Sequence, residues 1–91
     1  MSQQRREVWF SGRVQGVGFR YTTHSIAAGF SVTGFVKNLA DGRVLLVVEG
    51  EKREIGRFIE AIQDRMASNI DDLDESVMES TDEFRAFDIR H

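Results

Sequence analysis

The sequence contains no cysteine, which removes disulfides, thiolate nucleophiles and cysteine-ligated metals together. An intracellular setting is the reading this favours. Long apolar runs are missing too. The N-terminal MSQQRREVWF lacks the apolar core of about 7–15 residues that a secretory signal needs, and nothing approaches the roughly 20 residues required to span a bilayer. The chain is therefore expected to be mature and cytoplasmic, without membrane contact. Positive charge is in short supply as well: a net charge of -3 argues against a nucleic-acid binder, which carries a basic surplus.

What is present fits an ordinary folded domain. Apolar residues make up 41% and charged residues 30%, far from the compositions that stay disordered. At 91 residues, the chain is long enough for one two-layer core and too short for two, so residues 1–91 are expected to form a single domain with one site. Charge is unevenly spread. Residues 67–83 hold seven acidic residues and no lysine or arginine, whereas the first twenty hold Arg5, Arg6, Arg13 and Arg20 against Glu7 alone. An anionic ligand is drawn to the N-terminal region, and the acidic stretch reads as a solvated loop and edge strand.

The order of elements follows from periodicity. Residues 6–12 read as a strand with Val8 and Phe10 on one face and Trp9 on the other. From about Arg20 to Ala28 the pattern is helical, and Gly29 stops it. Residues 31–39 alternate again, with Val32, Gly34 and Val36 opposed to Thr33, Phe35 and Lys37. Asp41-Gly42 then precedes the apolar VLLVVEG, which predicts an antiparallel hairpin through a type I′ turn. Ile55, Phe58, Ile59, Ile62 and Met66 mark an amphipathic second helix. Ile70, Leu73, Val77 and Met78 suggest a fourth strand of unclear bounds, and FRAFDIR a short fifth. This order is that of the α+β ferredoxin-like βαββαβ sandwich: a mainly antiparallel sheet, both helices on one face, and a short extra strand at the C-terminal end. Fold alone says nothing of function.

Function is sought in the stretch RVQGVGFR, residues 13–20. A loop that opens a helix exposes backbone N–H groups at the positive end of the helix dipole, and Gly16 and Gly18 let consecutive amides converge on an anion. Arg20 adds a permanent charge with a planar fork suited to phosphate oxygens. A plain tight turn beside a surface arginine is the competing reading. Other phosphate motifs fail: GxxxxGK[ST] is absent, Tyr21 stands where the third glycine of GxGxxG belongs, and Val14 occupies the thiolate position of a cysteine phosphatase. His24 in the first helix reads as structural or solvent-facing, and Asp72-x-Asp74 lacks the spacing of a calcium loop. Trp9 and Phe35 read as packing residues, leaving little for an RNA-binding sheet.

Together, GRVQGVGFR, TGFVKNLADGRVLLVVEG and FDIRH closely resemble the acylphosphatase family over nearly the whole chain, from about Glu7 onward. Three departures stand out: Gly18 where many members carry a larger residue, Phe35 for a common tryptophan, and no prolines between Ala67 and Asp82. The first is expected to loosen the loop. His91 stands where the family usually has a tyrosine.

The resemblance implies hydrolysis of acyl phosphates to a carboxylate and inorganic phosphate by water, with no metal, no cofactor and no covalent intermediate. It assigns the backbone amides of Gln15, Gly16, Val17, Gly18 and Phe19, with Arg20, to the phosphoryl oxygens. Asn38 is assigned to orienting the attacking water; a plain turn role is the competing reading. A small-molecule substrate and a monomer are expected, with no nucleic-acid or membrane partner. The rival is a non-catalytic ferredoxin-like module that binds a phosphorylated or carboxylated partner through the same loop.

Overall fold

The computed structural model describes residues 3–91. Seven elements follow in the order β1 (Gln3–Gly12), α1 (Phe19–Ala27), β2 (Val32–Asn38), β3 (Val44–Glu51), α2 (Lys52–Arg65), β4 (Ile70–Glu79) and β5 (Phe87–Arg90). The five strands form one sheet in the order β4-β1-β3-β2-β5, antiparallel except for the β2–β5 pair. This is the expected ferredoxin-like α+β arrangement with its extra strand. No helix among the described residues is long and apolar enough to cross a membrane.

The main core lies between the sheet and the two helices. Val8 and Phe10 of β1, Val36 of β2 and Val44, Leu46 and Val48 of β3 are all fully buried against Ile55, Phe58 and Ile62 of α2 and Phe19 of α1. Period-2 alternation in the strands and the 3.6-residue stripe of α2 thus converge on one apolar layer. At the start of α2 the Glu51 carboxylate accepts from the backbone N–H groups of Arg53 and Glu54, at 3.1 and 3.3 Å, an N-cap that satisfies two orphan donors.

The structure changes several sequence-based boundaries. β1 starts at Gln3, because the polar Gln3–Arg5 backbone still pairs with Glu49–Glu51 of β3. The hairpin is antiparallel as expected, but its turn is not type I′. Gly42 has φ 96°, Asp41 does not have positive φ, and Gly42 N–H donates to the Leu39 carbonyl at 3.2 Å. Three residues, Ala40 to Gly42, close the loop, with the left-handed glycine last. The extra residue is accommodated by glycine at the one position that needs positive φ. The acidic stretch does form an edge strand, β4, paired with β1 alone and largely exposed.

On the sheet face away from the helices, residues 80–86 cross from one edge to the other. The Glu49 side chain, 4% exposed, is the anchor: it accepts from the backbone N–H groups of Thr81 and Asp82 and the hydroxyls of Ser80 and Thr81, at 2.7–3.0 Å, and pairs with Arg5 at 3.3 Å. Phe84 packs edge-on against Phe35 at 5.8 Å, and the Arg90 guanidinium lies 3.9 Å from the centre of the Phe35 ring. Phe35 is therefore a packing residue, buried outside the main core.

Burial by itself pushes the Glu49 carboxyl up, but the Thr81 N–H and hydroxyl, the Ser80 hydroxyl and the Asp82 N–H together outweigh it and hold the group below the usual carboxylate range. A depressed folded-state pKa contributes stability that is complete above the unfolded value, about 4.3, and lost as pH falls through the lower folded value. Glu49→Gln is expected to cost about 2–3 kcal/mol at pH 7 and to flatten the loss of stability toward pH 3. Urea unfolding at both pH values checks this; an unchanged midpoint at pH 7 would show that the anchor contributes little.

Candidate active site

The loop between β1 and α1 is clamped at both ends by the core. Val14 is fully buried, and Phe19 is nearly so, its ring 5.1 Å from that of Phe10. Between these anchors Gly16 and Gly18 take φ 76° and 77°, in the left-handed region, with open space where a Cβ would stand. Gly18 is also the N-cap of α1. It contributes no side-chain cap, and its carbonyl accepts from Thr22 N–H at 2.9 Å. The first-turn amides of α1 are thus left for a ligand. The expectation that Gly18 loosens the loop meets this geometry: glycine is the residue at home in a left-handed N-cap, and the buried flanks hold the loop in place.

Gln15 does more than lend a backbone amide. Its side-chain Nε2 donates to the carbonyls of Leu39 and Arg43, at 2.8 and 2.9 Å, so both of its hydrogens tie the loop to the β2–β3 hairpin. That tie brings Asn38, the last residue of β2, opposite the loop. In sequence, nothing but the amide itself signalled this bridge across 24 and 28 positions.

A cavity of about 290 Å³ results, lined by Val14, Gly16, Gly18, Phe19, Arg20, Tyr21, Asn38, Ile89 and His91. It gathers Gly16, Gly18, Phe19, Arg20 and Asn38 from the expected set. Gln15 turns its side chain to the hairpin, and Val17 is exposed beside the rim. Ile89 and His91 enter from β5 and the residue after it, and were not foreseen as lining. Arg20 is in place near the start of α1, its Nη1 donating to the Arg90 carbonyl at 3.1 Å and lying 3.1 Å from His91 Nδ1. Asn38 Oδ1 is buried, without a hydrogen-bond partner among the described residues. Such an orphan acceptor costs about 1–3 kcal/mol unless a water or ligand satisfies it.

No Asp or Glu side chain lines this cavity, and one guanidinium does, so the side chains around it suit an anion. A larger hollow of about 520 Å³ beside α2 also has cations, Arg6, Lys52, Arg53 and Arg57. There, however, Glu51 already occupies the helix N-terminus with its own carboxylate. His24 sits one turn beyond Arg20, its ring 6.3 Å from Phe87, and lines a different hollow with Phe30 and Val32. The Arg13 side chain has no part in the cavity, while its carbonyl accepts from Asn69 Nδ2 at 3.0 Å. Asp72 and Asp74 lie on β4, at the far edge of the sheet. Among the described residues, no three His, Asp or Glu side chains gather as a metal site would require.

Comparison with known proteins bears on this cavity. The family model described as Acylphosphatase matches residues 6–89. An acylphosphatase from Acaryochloris marina is 45% identical over 82 residues, covering 87% of this chain and 85% of the relative. One from Lactobacillus johnsonii is 38% identical over 81 residues, covering 87% and 89%. Among solved structures, acylphosphatase from Bacillus subtilis superposes with a TM-score of 0.86 at 30% identity, over 97% of this chain and 99% of the other.

Proposed function

The chain belongs to the acylphosphatase family, and from that membership we propose that Arg20, Asn38 and the amides of residues 15–19 carry its hydrolysis of acyl phosphates. The enzyme converts an acyl phosphate to a carboxylate and inorganic phosphate. The observation that supports the residue roles best is the meeting of Arg20, the glycine loop and Asn38 Oδ1 around one cavity free of Asp and Glu side chains.

In this mechanism the phosphoryl oxygens sit against the amides of Gln15, Gly16, Val17, Gly18 and Phe19 and the Arg20 fork. Charge that spreads over those oxygens in the transition state meets preorganised donors. Asn38 holds a water through Oδ1, in line with the bond to be broken. The water oxygen bonds to phosphorus, the bond from phosphorus to the bridging oxygen breaks, and its electron pair leaves with the carboxylate. A water proton passes to a phosphoryl oxygen. Because a carboxylate is already a good leaving group, no strong base is required of the protein.

Metal independence is part of the same proposal. Hydrolysis of benzoyl phosphate is expected to proceed at an unchanged rate in EDTA, with inorganic phosphate as a competitive inhibitor. A large loss in EDTA that a divalent ion restores would overturn it. The near end-to-end match to proteins named acylphosphatase favours the enzyme over a non-catalytic module.

We also read residues 1–91 as one domain and the protein as a cytoplasmic monomer. The described strands form one sheet, and β4 carries Asp71, Asp72, Asp74, Glu75 and Glu79, charges that oppose pairing with the same edge of a second copy. Sedimentation should report a single-chain species; a stable dimer would refute the monomer.

A further inference from the structure

We propose that His91 is a positioning residue for Arg20: as the neutral imidazole it accepts a hydrogen bond from Nη1 and turns the rest of the guanidinium toward the phosphoryl group. The inference rests on the phosphoryl-binding role given to Arg20 above.

A guanidinium has five N–H donors, two of them on Nη1. One Nη1 hydrogen is taken by the Arg90 carbonyl at 3.1 Å, and the other can reach His91 Nδ1, also at 3.1 Å. Among the described residues, Nε and Nη2 donate to no protein acceptor, and their shared edge is the fork that matches two oxygens of a phosphoryl group. One carbonyl alone would let the guanidinium swivel about that contact. The second acceptor fixes its plane. Because His91 and Arg20 line the same cavity as Gly16, Gly18 and Asn38, the anchor lies within the site.

The contact requires an unprotonated Nδ1, since an imidazolium is a donor at both nitrogens and would face Nη1 with like charge. The titratable side chains nearby offer no compensation. Arg20, Tyr21 and His24 come from α1, and Lys37 from β2, paired in register with Arg90. The Arg90 guanidinium lies over Phe35 on the opposite face of the sheet, and no Asp or Glu side chain lines the cavity. The tyrosine usual in the family at this position would carry its oxygen far beyond the place of Nδ1, so the anchor is a property of this chain.

The test compares kcat/KM for benzoyl phosphate and inhibition by inorganic phosphate in the full chain and its variants, with melting curves to confirm folding. His91→Ala is expected to lower kcat/KM about tenfold, the worth of one charge-assisted hydrogen bond. His91→Asn, whose Oδ1 stands as many bonds from Cβ as Nδ1 does, should recover activity to within about threefold of wild type. The ratio of wild type to His91→Asn should fall as the pH is lowered enough to protonate the imidazole. In an Arg20→Ala background, His91→Ala should add less than about a twofold loss, because the two act through one contact. If His91→Ala matched wild type while Arg20→Ala was inactive, the positioning role would be wrong and the role of Arg20 would stand. A loss that asparagine does not restore, with a pH-independent ratio, would make His91 merely structural. Retained activity in Arg20→Ala would remove the reading on which the inference rests.

Discussion

Arg20→Ala should reduce kcat/KM for benzoyl phosphate by a factor on the order of 10³ or more, about 4 kcal/mol of transition-state stabilisation. The size follows from what the cavity contains. Arg20 is its one permanent cation, no Asp or Glu side chain lines it, and the loop itself offers a phosphoryl dianion only neutral amides. Removing the guanidinium takes away both charge and fork, so inhibition by inorganic phosphate should weaken together with turnover. Arg20→Lys should recover only part of the loss, because an ammonium supplies a point charge without the planar pair of donors. The fold should survive. The Arg20 side chain bonds only to the Arg90 carbonyl and His91 among the described residues, both exposed contacts. Activity within about tenfold of wild type, in a protein with an unchanged melting curve, would rule out the assigned role.

Asn38→Ala should act on a different kinetic constant. Its kcat is expected to fall by about 10²–10³, while KM and inhibition by phosphate change little. An interaction made only with the attacking water is realised in the transition state and contributes little to ground-state binding. The structure adds a discriminating stability readout. Asn38 Oδ1 accepts from no protein donor among the described residues, so its removal deletes no protein hydrogen bond of that oxygen. The variant should melt close to the wild-type temperature. If Asn38 served the turn instead, the variant would lose stability and keep its chemistry; that pair of results would refute the water-orienting role.

The two site residues were legible for different reasons. Arg20 lies within one short motif, where glycine φ preferences and a helix start suggest an anion loop, with a plain turn as the competing reading. Asn38 reads from its neighbours as a turn residue, and resemblance to the family was needed to assign it a role. The hairpin was legible as a hairpin, but its turn type was not, because Asp-Gly serves both a type I′ turn and the three-residue loop that ends on Gly42. The second helix announced itself through five apolar positions, four of them within α2 and Met66 at its C-cap. β4 did not, since an edge strand with few buried side chains carries a weak period-2 signal. Glu49 was the least legible. In VLLVVEG it reads as a polar residue ending an apolar strand, whereas it is the buried anchor of the crossing segment.

By itself the sequence determined the order of elements, the apolar faces of β1 and α2, and a glycine-bearing loop ended by Arg20. Each of these is written within a few residues as a period, a glycine or a charge. Tertiary structure alone decided what meets across the chain. Gln15 clamps the hairpin 24 and 28 positions away, Glu49 holds residues 80–82, and Arg20 finds Arg90 and His91, 70 and 71 positions on. Such contacts have no local signature, because they arise only when burial of the common core brings separate strands and loops to one edge of the sheet.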